Sequence, residues 1–107
     1  MSATVLTDPV LTRFRAALDA AYGSRLARVV LFGSRARGDA RADSDYDVAV
    51  FLRDGPRDQE EADRVSDVTT DILLETGALI TPLTFPLAEY DARTIFMGEV
   101  RREGIDL

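Results

Sequence analysis

Apolar residues recur at Val10, Leu11, Phe14, Ala17, Leu18 and Ala21, the spacing of one helix face. Asp8 and Pro9 supply an N-cap and a first-turn proline, and Gly23 supplies a stop. The pattern then changes. Residues 26–32 form a short, nearly continuous apolar run between turn signals, which predicts a buried strand. Gly33 ends it. Residues 34–43 are small, charged and glycine-punctuated, and predict a loop with one helical turn after Ser34. Residues 45–52 alternate, predicting a second strand. Asp45, Asp47, Ala49 and Phe51 fall on one face; Tyr46, Val48, Val50 and Leu52 fall on the other.

Arg53, Asp54, Gly55 and Pro56 make a turn. Residues 57–76 return to helical spacing, with Ala62, Val65, Val68, Thr69, Ile72 and Leu73 as the apolar stripe of an acidic helix that Gly77 closes. Residues 78–87 predict a third strand, and Pro82 and Pro86 place it at an edge or at bulges. Asp91 is expected to cap a last helix, with Ile95, Phe96 and Val100 facing inward and Gly104 at its end. The tail, residues 105–107, is expected to be loose.

The order is helix, strand, loop, strand, helix, strand, helix. A short loop favours antiparallel pairing of the first two strands, and the long helix permits a parallel crossover to the third. The expected fold class is α/β (α+β): a small mixed β-sheet of about three to four strands with helices packed on one side. The 107 residues suit a single domain, 1–107.

Composition narrows the chemistry. The chain has no His and no Cys, and all 13 basic residues are Arg. A histidine base, a thiolate metal site, a Schiff-base lysine and a phosphate-binding lysine are therefore excluded. Carboxylate, hydroxyl, guanidinium and bound metal remain. The net charge of −6 argues against direct binding of long nucleic acid. Yet residues 25–41 hold Arg25, Arg28, Arg35, Arg37 and Arg41 against one acid, Asp39. Such a patch suits a discrete anion, or else a solvated face whose partners come from elsewhere in the fold. No apolar run approaches the ~20 residues of a membrane span, and residues 1–8 lack a signal-peptide pattern, so the expected location is the cytoplasm.

Two features carry chemistry. Asp45 and Asp47, two apart on a strand, project from one face about 6.5 Å apart along the backbone. Two carboxylates at ~4 Å repel by about 4 kcal/mol at an effective dielectric of ~20, so a cation is expected between them. Oxygen ligands suit Mg2+ or Mn2+. The plainer alternative is an exposed strand end. Gly33 permits close backbone approach, Ser34 offers a hydroxyl and an amide, and Arg35 and Arg37 add charge matched to phosphate. An ordinary turn is the alternative there. Together the two features are the parts that phosphoryl-type transfer requires.

The run Gly33-Ser34-Arg35-Ala36-Arg37-Gly38, followed by Ser44-Asp45-Tyr46-Asp47-Val48, resembles the signature of the minimal nucleotidyltransferases of the DNA polymerase β-like superfamily. The element order agrees over most of the chain. The resemblance implies a polymerase β palm-like fold. It places Gly33, Ser34, Arg35, Arg37 and Asp45 at the nucleotide, with Asp45 and Asp47 as catalytic Mg2+ (or Mn2+) ligands and ATP as substrate. Proteins of this size are similar to the antitoxin half of HEPN–MNT toxin–antitoxin pairs. That likeness implies AMP transfer to a tyrosine of a HEPN ribonuclease toxin, in a possible hetero-oligomer.

One departure stands out. Active members of the family carry a third carboxylate on the later strand, and residues 78–87 contain no acid. Glu89 follows that strand, while Asp67, Asp71 and Glu75 sit on the preceding helix. Either one of these substitutes, or the incoming hydroxyl is deprotonated without help, or catalysis is weak or absent and the chain silences its partner by binding alone. Transfer to a small-molecule hydroxyl is a third reading, for which 107 residues leave little room. Arg41, Asp39 and Asp43 are expected at the site or its rim, and Tyr46 is expected to pack.

Overall fold

The computed structural model describes residues 7–107; residues 1–6 and the side chain of Ala62 lie outside the described residues. The expectation for the chain start and the place of Ala62 in the helix stripe fall there. The elements are α1 (Pro9–Tyr22), β1 (Leu26–Phe32), the one-turn α2 (Ser34–Arg37), β2 (Tyr46–Leu52), α3 (Gln59–Thr76), β3 (Ile80–Pro86), α4 (Ile95–Glu103) and β4 (Ile105–Asp106). Short 3-10 turns occupy Gly23–Arg25 and Leu87–Asp91.

The sheet runs β3-β2-β1-β4. β1 is antiparallel to β2 and to β4, and β2 is parallel to β3 across the α3 crossover. The alternation read from β2 holds. Tyr46, Val48, Val50 and Leu52 join Leu11, Phe14 and Leu18 of α1 and Val65 and Ile72 of α3 in one core. Ala49 and Phe51 join Val30, Met97 and Val100 in a second core on the other face. The two long helices thus share one side, while the short α4 covers the other. Phe51 and Phe85 stack there at 5.6 Å, and Phe96 meets Phe32 edge-on at 5.3 Å.

Local chemistry explains the helix ends. The Asp8 carboxylate accepts from the Val10 amide at 2.9 Å and caps α1. Asp58 caps α3 through the Glu61 amide at 2.9 Å. The last helix departs from expectation. Thr94, not Asp91, caps α4, accepting from the Met97 amide at 3.1 Å; Asp91 ends the preceding 3-10 turn. The later start turns Met97 and Val100 inward and leaves Ile95 87% exposed. Leu73, placed in the stripe of α3, is also exposed. The tail is not loose. Ile105 and Asp106 pair with Leu31 and Val30, the Leu107 amide donates to the Val29 carbonyl at 2.9 Å, and Arg15 donates to the Leu107 carbonyl at 2.7 Å.

β3 is an edge strand, as its prolines predict. The Tyr46 amide donates to the Leu79 carbonyl at 2.9 Å, which fixes the parity of the parallel ladder. Residues 81, 83 and 85 turn their backbone groups toward β2. Pro82 and Pro86 turn theirs outward, so the rim lacks two of its donors and is a poor template for another strand.

The end of the sheet where Leu26 pairs with Leu52 is tied by charge. Arg25 donates to both Glu61 carboxylate oxygens at 2.6 Å and to Asp54 at 2.8 Å. The Tyr22 hydroxyl donates to the Glu61 carbonyl at 2.6 Å. Hydrogen bonds from Arg25 and from the Arg57 amide hold Glu61 at about 2, and Arg25 and Arg57 hold Asp54 at about 2. Carboxylates held below their unfolded values stabilise the fold fully above the ordinary glutamate value of 4.5, and that contribution is lost as pH falls toward about 2. Glu61→Gln is expected to lower stability at neutral pH and to flatten the acid limb between those values, read by thermal melts across pH.

Candidate active site

The opposite end of the sheet gathers the residues singled out by the sequence. β1 ends at Phe32, whose register partner on β2 is Asp47. Between them the chain turns at Gly33, with φ 76° and ψ −157°, a region essentially reserved for glycine. The turn brings Gly33 against Asp47: a Cβ at residue 33 would overlap the Asp47 carboxylate oxygen and lie 3.2 Å from its Cγ. The glycine turn and the second aspartate are therefore one corner of the molecule.

Ser34–Arg37 follow as a single helical turn. The amides of Ala36 and Arg37 donate to the Gly33 carbonyl at 3.1 Å, and those of Gly38 and Asp39 donate to the Ser34 carbonyl at 3.0 and 3.1 Å. First-turn amides precede any intrahelical acceptor, which leaves those of Ser34 and Arg35 available to an anion. Gly38, with φ 84°, closes the turn.

Asp45 is exposed and sits one residue ahead of β2, where the sequence pattern had placed it as the first strand residue. Asp47 is half-buried within β2. Burial pushes the Asp47 carboxyl above its ordinary value, the negative charge of Asp45 adds to the rise, and Arg37 opposes it. A corner of this kind favours a positive charge. Two carboxylates suit a hard divalent cation that completes its shell with water and substrate phosphate oxygens. Among the described residues no group of three or more His, Cys, Asp or Glu side chains is placed to hold an ion.

The two arginines differ in surroundings. Arg37 lies 3.4 Å from Asp39 and 3.6 Å from Glu103 of α4, on the flank facing the corner. The Arg35 guanidinium is engaged by the loop that follows it and by Tyr46. Nε donates to the Ser44 carbonyl at 2.9 Å, Nη2 donates to the same carbonyl at 2.7 Å and to that of Ala42 at 3.2 Å, and the group stacks 3.8 Å over the Tyr46 ring. Tyr46 is buried and donates its hydroxyl to Asp8 at 2.8 Å. Ser44 Oγ accepts from the Arg41 amide at 2.8 Å, locking the turn that delivers Asp45. Arg35 and Ser44 thus hold the loop in place. Because the contact is bidentate and stacked, Arg35→Lys is expected to cost about 1–2 kcal/mol and to weaken nucleotide binding, measured by melts and calorimetry.

The substitutes for a third carboxylate are not at this corner. Glu89 follows β3 beyond Pro86, the partner of Leu52 at the far end of the sheet. Asp67, Asp71 and Glu75 belong to α3, which packs on the other face, and Glu75 pairs with Arg13. The neighbour of Asp47 on β3 is Thr81, which sequence pattern alone did not mark because the pairing register is invisible in it.

These features define a nucleotidyltransferase. The sequence profile of the nucleotidyltransferase domain matches residues 11–96, and the chain belongs to that family. A protein of Methanocaldococcus jannaschii named "Putative protein adenylyltransferase" is 28% identical over 98 residues, covering 92% of this chain and 95% of the relative. A solved structure described as a "putative minimal nucleotidyltransferase" superposes with a TM-score of 0.60 and 28% identity, covering 90% of each chain. A toxin–antitoxin crystal structure with AMP-PNP shares the fold, with a TM-score of 0.61 and 19% identity, covering 87% of this chain and 68% of the other. Among the described residues no helix is long and apolar enough to cross a membrane.

Proposed function

We propose that this protein transfers AMP from ATP to a hydroxyl of a partner protein and acts as an antitoxin, the acceptor being a tyrosine of a HEPN ribonuclease toxin. The observation that carries the reading is the contact between Gly33 and the Asp47 carboxylate, which makes the amide turn and the acidic pair one site. The adenylyltransferase name of the archaeal relative and the AMP-PNP toxin–antitoxin neighbour support it.

In this reading Gly33 gives the triphosphate close access to the backbone, and the amides of Ser34 and Arg35 bind its oxygens. Arg37 adds charge from the flank. Asp45 and Asp47 would hold Mg2+ or Mn2+, which when bound neutralises the triphosphate and aligns its α-phosphorus. The acceptor oxygen bonds to that phosphorus, the bond to the β-phosphate bridge breaks, pyrophosphate leaves and the hydroxyl proton passes to water. Arg35, Tyr46 and Asp8 keep the loop fixed, so the corner is preorganised. Pyrophosphate release that requires ATP, Mg2+ and the toxin together is the expected result. Release independent of the toxin, or none at all, contradicts it.

A second reading has its own observation: β3 carries no acid beside Asp47. The protein then neutralises its partner by binding alone. Neutralisation that survives Asp45→Asn with Asp47→Asn selects this reading.

A further inference from the structure

Three large apolar side chains lie exposed at the end of the sheet that carries Asp45 and Asp47: Leu73 at 39%, Leu74 at 79% and Leu79 at 45%. Leu79 is placed there by its carbonyl, which accepts from the amide of Tyr46, the residue after Asp45. Leu73 and Leu74 belong to the last turn of α3, which ends just before Leu79. α1 reaches α3 on the flank of Glu75, where Arg13 engages it. Leu73, two residues away and so nearly opposite in helical phase, stays uncovered. A hollow of about 240 Å³ adjoins this end of α3, lined by Arg35, Ala42, Asp43, Ser44, Ala78 and Leu79. The exposed leucines thus run into the loop that delivers Asp45.

Charge and edge chemistry define what fits here. Leu74 ends a row of Glu60, Asp63, Asp67 and Asp71, spaced three or four residues apart along the outward face of α3 and all exposed. Asp67 and Asp71 have no ion-pair partner among the described residues, and the last turn of α3 holds no basic residue. Acids one turn apart repel, and acids near a helix C-terminus oppose its dipole. The row therefore disfavours α3 by itself and favours a cationic neighbour. A second copy of the chain would set one acidic row against another. An added strand would meet a β3 rim that lacks donors at Pro82 and Pro86. A helix whose apolar side chains are flanked by arginine or lysine matches both the leucines and the acids.

We propose that Leu73, Leu74, Leu79 and the acidic row of α3 seat a basic amphipathic helix of the toxin, beside the corner its hydroxyl must reach. The inference rests on the toxin reading above and deepens it by assigning the surface that holds the partner.

The test is calorimetry of this chain against the purified toxin. Leu74→Glu with Leu79→Glu is expected to weaken the complex at least about tenfold, and Asp67→Lys with Asp71→Lys to do the same. Ile95→Glu, at a position 87% exposed on α4 across the sheet, should bind the toxin as the unaltered chain does. An ATP analogue with a methylene between the α- and β-phosphates, which cannot transfer AMP, should bind all of these variants alike. Undiminished toxin binding by either double variant overturns the proposal. So does a loss for Ile95→Glu as large as theirs, or a joint loss of toxin and analogue, which would place the effect at the corner. A dimer of the unaltered chain in sedimentation that the leucine changes dissolve overturns it too, by placing a second copy on the surface. If the leucine variant does not fold, judged by thermal melt, the aspartate variant decides. No toxin binding by the unaltered chain sinks the toxin reading itself, whereas the other contrary results leave that reading standing.

Discussion

Gly33→Ala is expected to abolish nucleotide binding and to lower the melting temperature. At φ 76° and ψ −157° the substitution costs about 1–3 kcal/mol of backbone strain. The strain is the smaller part for function. The added methyl would occupy the place of the Asp47 carboxylate, so either that side chain leaves the corner or the turn opens. Both outcomes separate the amides of Ser34 and Arg35 from the acidic pair. Calorimetry with the non-transferable analogue and Mn2+ should show no saturable binding by a protein that still folds. Gly38→Ala is the control: it carries a comparable φ of 84°, but its Cβ meets nothing within 4 Å. That variant should lose stability while keeping the geometry of the Asp47 corner.

Asp45→Asn with Asp47→Asn is expected to reduce AMP transfer by about a thousandfold or more, since the charge that would hold the cation is removed. The same change should not weaken the fold. Asp47 has its carboxyl raised by burial and by Asp45, so its ionised form opposes folding above that raised value. The sign follows from linkage: a carboxylate raised in the folded state lowers stability as pH climbs through its folded value. Asp47→Asn should therefore melt at an equal or higher temperature than the unaltered chain at neutral pH without metal. The difference should shrink as the pH is lowered. A large loss of stability instead would mean that Asp47 is a structural residue.

Much of the fold was legible because it depends on local pattern. The stripe Leu11, Phe14, Leu18 and the alternation along β2 report burial directly, and each reappears in the cores. Gly33 was legible because a glycine after a buried run signals a turn. Other features depend on tertiary context. β4 is two residues long and shows no period; its order comes from pairing with β1 and from Arg15. Ile95 reads as core by type, but the cap at Thr94 sets a phase that points it outward. Arg35 reads as a cation by type, and its hold on loop carbonyls and the Tyr46 ring comes from the fold. Thr81 acquires meaning only from the register that sets it beside Asp47. The motif thus marked the corner, and the surrounding packing determined how each member is held.

The most direct measurement is the intact mass of the toxin after incubation with this protein, ATP and Mg2+. The account predicts a gain of about 329 Da for each hydroxyl modified, abolished by Asp45→Asn with Asp47→Asn. An unchanged toxin mass under these conditions, with Mn2+ giving the same result, would contradict it.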